Sequence, residues 1–193
     1  MPLKISILYG SVRTERLGIK AARWLTEVIT TKGHEAKLID PLEYNLPLLD
    51  KRFKEFELGL APTNLTELSN IFRAADAFVI VSGEYNHSVP PALKNLIDHF
   101  NAPEFEYRPV AIVTYSNGSF GGIRPTEHLR EIMSDLGAVT IPAIMPIPNI
   151  QDVFDADGKL LDAKYTERAD KLLNQLEWYA TALKEQRGKG LPS

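Results

Sequence analysis

The chain has 193 residues, 44% hydrophobic and 24% charged, which fits one compact domain spanning residues 1–193 with a substantial core. A formal charge of −3, from 22 basic and 25 acidic residues, excludes broad binding to nucleic acid or anionic membranes, so any basic site must be local. There is no cysteine, which removes disulfides, thiolate catalysis, Cys-ligated zinc and iron–sulfur clusters.

The four histidines, at 34, 87, 99 and 128, lack any metal-binding spacing, so no metal is expected. No apolar run approaches the roughly 20 residues of a membrane span, and no signal pattern is read. The expectation is a cytoplasmic protein with neither membrane nor nucleic acid as partner.

Taken in order, Lys4 to Ala22 reads KISILYGSVRTERLGIKAA. Ile5, Ile7 and Leu8 predict a short strand buried on both faces. It stops at Gly10-Ser11. A helix is predicted over Gly18–Thr31, with Leu17, Ala21, Leu25 and Val28 on one face and Gly33 as its stop. Between them, SVRTER offers hydroxyls at Ser11 and Thr14 and guanidinium groups at Arg13 and Arg16. A loop of this kind feeding a helix N-terminus suits a phosphate: free N–H groups and the helix dipole favour an anion, and arginine adds charge-assisted hydrogen bonds. Read alone, the stretch fits an ordinary βα loop equally well. Neither G-x-x-x-x-G-K-[ST] nor G-x-G-x-x-G is present.

Ala36–Ile39 predicts a second strand, ended by Asp40-Pro41. Leu42 to Thr63 reads as a long excursion with a short helical piece at Phe53–Leu58. Long ordered loops of this kind tend to be functional or to pack on a partner. Leu65, Leu68, Ile71, Phe72 and Ala75 predict a second helix, capped by Thr63 or Asn64. Ala77–Val81 is an apolar strand for the sheet centre, opening through Ser82-Gly83 into EYNHSVPP. Leu93, Leu96, Ile97 and Phe100 mark a third helix with Pro90 and Pro91 at its start. Val110–Tyr115 predicts a fourth strand, then the loop SNGSFGG. A fourth helix carries Leu129, Ile132, Met133 and Leu136 and ends at Gly137. A fifth strand starts at Ala138–Ile141 and is expected to be broken repeatedly by proline up to Pro148. Asp155–Gly158 is a turn, and a last helix covers Asp162–Glu185.

Five strands alternating with five helices predict an α/β, flavodoxin-like three-layer sandwich: a five-stranded parallel sheet, order 2-1-3-4-5, with helices on both faces. In such sheets ligands bind beyond the carboxyl ends of the strands, at the switch point between strands one and three. The loops after strands one, three and four therefore share one edge. Glu84, Tyr85, Asn86, His87 and Ser88 give the second loop one aromatic and several polar groups; alone, it is as readily a helix start capped by Ser88. Ser116, Gly118, Ser119, Gly121 and Gly122 would let backbone approach a flat ligand, although simple flexibility explains that loop in isolation. Together the three suit one ligand with a phosphate at one end and a planar ring.

GSVRTERLG-x-x-A-x-W, then EYNHSVPPALKNLIDHF, then a GG-x-R helix start, resembles the NADPH-dependent FMN reductase family, which includes quinone, azo and chromate reductases. The likeness spans about Lys4 to Leu183, and EYN…S-x-P-x-x-LKN-x-ID is its specific part. The resemblance implies FMN and NADPH, or NADH, as cofactors. Ser11, Arg13, Arg16, Leu17 and Gly18 match the family's FMN-phosphate loop. Glu84, Tyr85 and Asn86, followed by Ser88, match the loop along the isoalloxazine, and Ser116, Gly118, Gly121 and Gly122 fall beside its pyrimidine end. The family often has Thr-Pro where this chain has Ser82-Gly83, and its glycine loop is slightly shorter.

The implied activity is an FMN-dependent NAD(P)H oxidoreductase: hydride passes from nicotinamide to flavin N5 and then to a small-molecule acceptor such as a quinone, azo compound or free flavin. No side chain is expected to be catalytic, because the cofactor carries the reaction; His87 is read as a loop residue at the site mouth. The LKN-x-ID helix resembles the family's dimer surface, implying a homodimer or dimer of dimers, with Asp98 pairing to another chain or helix. A flavodoxin-like electron carrier is the alternative, although a T/S-x-T-G-x-T loop is missing. A flavin-free regulatory protein is a third reading.

Overall fold

The computed structural model describes residues 1–192. Its centre is a parallel sheet of β1 (Lys4–Tyr9), β2 (Glu35–Ile39), β3 (Ala77–Gly83), β4 (Pro109–Tyr115) and β5 (Val139–Ile147), in the order β2-β1-β3-β4-β5. All four pairings are parallel. The helices are α1 (Gly18–Thr31), α2 (Pro41–Tyr44), α3 (Thr63–Ala74), α4 (Pro91–Asp98), α5 (Ala102–Phe105), α6 (Pro125–Asp135) and α7 (Lys164–Arg187). This is the flavodoxin-like arrangement anticipated above, with two extra single-turn helices.

The strand pleat explains the layers. Alternate residues point to opposite faces, so Ile5, Ile7 and Tyr9 of β1 join the core with Leu25 of α1 and Leu172 and Leu176 of α7. Leu8 points the other way, towards Phe72 of α3, Leu96 of α4 and Leu129 of α6. Every residue of β3 and β4 is buried, as expected of strands covered on both faces. In the second core Phe72 packs edge-on to Phe78 and Phe100, with centroids 5.8 and 5.1 Å apart.

Helix α1 has the bounds expected, and Gly33 takes φ +87° behind it. The prolines do not end the fifth strand: β5 runs through Pro142 and Pro146 as one element, although its register with β4 shifts between Thr140 and Ile144, around Pro142. It pairs with β4 alone, and an edge strand has positions whose N–H owes nothing to the ladder. Pro62, not Thr63 or Asn64, holds the N-cap position of α3, with no side-chain cap; Asn64 still serves the first turn, its Oδ1 accepting from Leu65 N at 2.9 Å while its Nδ2 donates to the Tyr44 carbonyl at 2.9 Å. The excursion after β2 begins with α2, capped by Asp40, and contains a 3₁₀ turn at Phe53–Glu55. Asn95 of α4 pins it, accepting from Leu49 N at 2.9 Å and donating to the Pro47 carbonyl at 2.8 Å. Asp98 pairs with Lys94 one turn back on its own helix, at 2.6 Å, rather than with another helix. Among the described residues no helix is long and apolar enough to cross a membrane, and no cluster of acidic and histidine side chains could hold a metal ion.

Candidate functional site

The loops after β1, β3 and β4 leave the same edge of the sheet, and side chains tie them together. Ser11 is buried, and its hydroxyl lies 2.6 Å from the Tyr85 hydroxyl, joining the first loop to the second. Glu84 accepts from Arg124 Nη1 at 2.7 Å, joining the second loop to the start of α6. Ser88 Oγ is 3.0 Å from Nδ1 of His128 on the same helix.

In the first loop the backbone N–H groups of Thr14, Glu15, Leu17 and Gly18 donate to no acceptor among the described residues. Gly18 opens α1 with Leu17 at its N-cap, and Thr14 and Glu15 lie in the turn just before it; the helix dipole favours negative charge at this end. The two arginines have separate fates. Arg16 is folded inward: it grips Asp40 with two hydrogen bonds of 2.5 and 2.6 Å, donates to the Ser11 carbonyl at 3.0 Å, and lies 5.4 Å from the Tyr9 ring centroid. The Asp40 carboxylate raises the Arg16 pKa further, although burial opposes it. Arg13 is exposed, and its guanidinium has no hydrogen-bonding partner among the described residues, while its own N–H donates to Ser11 Oγ at 3.3 Å. Leu17 is half-buried and packs against the core below α1.

The second loop turns at Asn86-His87, with φ of 49° and 68°. Tyr85 and Ser88 exchange backbone hydrogen bonds of 3.0 Å across it. Two consecutive left-handed residues between paired neighbours make a tight, right-twisted hairpin; Asn and His are among the few side chains enriched in that region, although glycine would enter it at lower cost. Strain of this kind tends to concentrate at functional sites.

The glycines of the third loop divide by what surrounds them. Gly121 and Gly122 are buried with φ of 63° and 68°. A Cβ on Gly122 would sit 2.3 Å from the Tyr115 carbonyl oxygen, and one on Gly121 would sit 2.9 Å from Pro148 N. These two are required for the loop to fold back on the strand ends. Gly118 has open space instead, while its carbonyl accepts from Ser116 Oγ at 3.1 Å and Asn149 N at 3.2 Å. The loop is therefore fastened from beneath by the segment after β5, with Gly118 at its open tip.

Sequence reading missed Asp40, Tyr9 and Tyr115, and treated Arg124 only as the Arg of GG-x-R. Tyr9 and Tyr115 stack at the strand ends, with centroids 6.3 Å apart and an 18° interplanar angle, and Tyr115 donates its hydroxyl to that of Tyr9 at 3.2 Å. Burial pushes both phenols above their ordinary range, and the Tyr9 oxygen raises Tyr115 further. Tyr44 is pushed up to about 12 by burial and Glu67. We expect these three of the seven tyrosines to resist ionisation near pH 10, the ordinary phenol range. The unfolded chain then releases protons that the folded chain keeps. Their contribution to stability is complete below about pH 10 and falls as pH rises towards about 12. Absorbance at the phenolate band against pH, with and without denaturant, checks this; seven tyrosines ionising together in the native protein would refute it.

A doubly wound sheet with an anion-ready turn at its switch point and two partner loops on the same edge defines a nucleotide-binding protein of flavodoxin-like type. Residues 3–152 match the family of NADPH-dependent FMN reductases, and the chain belongs to that family. It is accordingly an FMN-dependent NAD(P)H oxidoreductase. The chain is similar to an NAD(P)H-dependent FMN reductase of Pseudomonas aeruginosa, 35% identical over 134 residues that cover 67% of this chain and 71% of the relative. An FMN-dependent NADPH-azoreductase of Staphylococcus aureus is 28% identical over 179 residues, 90% of this chain and 93% of the relative. Among solved structures, FerB, an NAD(P)H:acceptor oxidoreductase from Paracoccus denitrificans, superposes with a TM-score of 0.75 at 22% identity, over 93% of this chain and 98% of its own. At that identity the likeness speaks for the fold.

Proposed function

We propose that FMN lies along this edge, its phosphate at the first loop and its ring between the other two. The donor set fits the group. The unpartnered backbone N–H groups of Thr14, Glu15, Leu17 and Gly18 and the unengaged Arg13 guanidinium, all within six residues, supply donors for an anion. Asp40, the carboxylate packed against the loop, is neutralised by Arg16, and Glu15, the acidic residue within the loop, is exposed to solvent. FMN, when bound, supplies a centre that accepts hydride from NAD(P)H and returns electrons to an acceptor.

The chain's own residues bind and orient. Arg13 and the amides from Thr14 to Gly18 hold the phosphate, with Ser11 set in place by Tyr85. Arg16 acts one step back, as a brace that shapes the loop through Asp40 and the Ser11 carbonyl. Glu84, Tyr85, Asn86 and Ser88 line one side of the ring. Arg124 cancels the Glu84 charge so that it does not repel an electron-rich ligand. Ser116, Gly118, Gly121 and Gly122 form the opposite side, where small residues let backbone amides come close. His87 stands at the rim. The single observation that carries this reading is the pair of links, Ser11 to Tyr85 and Glu84 to Arg124, that gather three loops separated in sequence into one rim.

Beyond the site, the reading includes a homodimer or dimer of dimers built on α4. Val12, Leu42, Leu46, Leu48 and Leu96 surround a groove of about 350 Å³ beside that helix, and Leu42 and Leu48 are largely exposed. The whole chain is taken as one domain acting in the cytoplasm on small planar acceptors, quinones and azo compounds among them, with NADPH or NADH as donor.

The test is a spectrum. Apo-protein mixed with FMN is expected to shift and resolve the flavin bands, and anaerobic NADPH is expected to bleach them. Adding a quinone or azo dye is expected to restore the bands and give steady turnover. Bands that match free FMN throughout would overturn the site assignment; bleaching without turnover on any acceptor would favour an electron carrier.

A further inference from the structure

Three parts of the proposed site, Gly18, Gly83 and Tyr9, meet one side chain that no motif marks, and the third loop folds back on the main chain of the same residue. Tyr115, the last residue of β4, is 8% exposed. Its ring fills the space over Gly18, at the start of α1: a Cβ there would lie 2.1 Å from Tyr115 Cζ, 2.3 Å from Cε1 and 2.6 Å from Cε2. Gly18 has no left-handed backbone to explain it; what it supplies is room for this ring. Gly83, leading into the second loop, is almost as close, since a Cβ there would meet Cζ and the hydroxyl at 3.2 Å. The third loop begins at Tyr115 itself, and Gly122 folds back onto the Tyr115 carbonyl. The hydroxyl donates to Tyr9, whose ring lies under the Arg16 guanidinium.

We propose that Tyr115 is the positioning residue of the flavin site, a post against which the phosphate loop and both ring loops take their mutual register. Resting on the FMN reading above, this adds a claim that reading lacks: grip on the phosphate and seating of the ring are coupled through the Tyr115 ring. The packing is too tight for the parts to shift independently. If Gly18 moves by a few tenths of an ångström, the ring must move, and Gly83 and Tyr9 with it. It also gives a reason for Ser82-Gly83 where the family often has Thr-Pro. A residue with a Cβ at 83 would press on the tyrosine.

The experiment is a double-mutant cycle in the full chain, read as FMN Kd by quenching of flavin fluorescence and as Tm of the apo-protein. Gly18→Ala inserts a methyl into the ring. Tyr115→Leu deletes Cε1, Cε2 and Cζ, the three atoms it would strike. We expect G18A and Y115L each to raise the FMN Kd by about tenfold or more, and G18A/Y115L to bind FMN within about threefold of Y115L alone, a coupling only touching residues show. Tyr115→Phe, which keeps the ring and its glycine contacts, is expected to stay within about threefold of wild type.

Three results would overturn the proposal: G18A or Y115L with wild-type affinity, a double variant as weak as the two singles multiplied together, or lowered Tm with an unchanged Kd in every variant. That last pattern is what a core-filling ring would give. Should G18A not fold, Y115L in the same chain is expected to restore folding, with FMN bound as Y115L alone binds it, and failure of either counts against the proposal. A wild-type chain that leaves FMN fluorescence unquenched removes the FMN reading itself and this inference with it. Quenching by wild type with no effect of G18A removes only this inference.

Discussion

Asp40→Ala is expected to destabilise the chain by about 3–5 kcal/mol, the cost of removing one half of a buried ion pair and leaving the other behind. The Asp40 and Arg16 side chains are only 4% and 14% exposed, so solvent cannot replace the lost partner. Asp40 also accepts from Leu42 N at 3.1 Å and caps α2; losing a cap alone costs about 1 kcal/mol. Against a typical total of roughly 5–15 kcal/mol, this is a large fraction. Asp40→Asn keeps the cap and one acceptor for Arg16 and is expected to lose less. The freed Arg16 stands beside the proposed phosphate site. Millimolar inorganic phosphate should therefore raise the melting temperature of D40A more than that of wild type, because an anion bound to the native state stabilises it. Urea unfolding with and without phosphate measures both effects. A loss under about 1 kcal/mol would mean that Arg16 relaxes into solvent and that the pair braces nothing.

This pair also marks where sequence reading reaches its limit. Long periodic segments were legible: α1 was read to the residue because its apolar stripe begins after the polar loop and Gly33 can take a left-handed stop. The sheet order followed from strands alternating with helices, since right-handed crossovers leave few topologies. Single-turn α2 and α5 were invisible, since four residues carry no helical period. The fifth strand was underread because proline breaks central strands but not edge strands, and edge position is a fact of topology rather than composition. The site divides along the same line. Loop chemistry was legible as hydroxyls, guanidinium groups and glycines. Which arginine is engaged was not, because Arg16 meets a carboxylate 24 residues away. Tyr9 and Tyr115 look like ordinary strand residues until the fold brings positions 106 apart into one stack. In the glycine loop, residue type suggested one job for three glycines, while the backbone gives Gly121 and Gly122 an internal packing task and leaves Gly118 open.

That division of labour makes Arg13 the sharper probe of function. Arg13→Ala is expected to weaken FMN binding by about 1.5–3 kcal/mol, the range for hydrogen bonds to charged groups, or roughly 10- to 150-fold in Kd. Its guanidinium is exposed and makes no hydrogen bond or ion pair among the described residues, so native stability should change by no more than about 0.5 kcal/mol, as for other surface substitutions. The main-chain bond from Arg13 N to Ser11 Oγ survives in alanine, so the loop keeps its course. Arg16→Ala should behave otherwise, losing stability and affinity together because it strips Asp40 of its partner inside the fold. Arg13→Lys should recover only part of the affinity, since an ammonium keeps the charge but not the planar fork that meets two phosphate oxygens at once. Isothermal titration with FMN and with riboflavin separates the contributions: riboflavin has no phosphate, so R13A should bind it as wild type does. Equal FMN affinity in R13A and wild type, or an equal loss for riboflavin, would place the phosphate elsewhere. The first loop would then be a connection between strand and helix, and the three-loop rim would need another ligand.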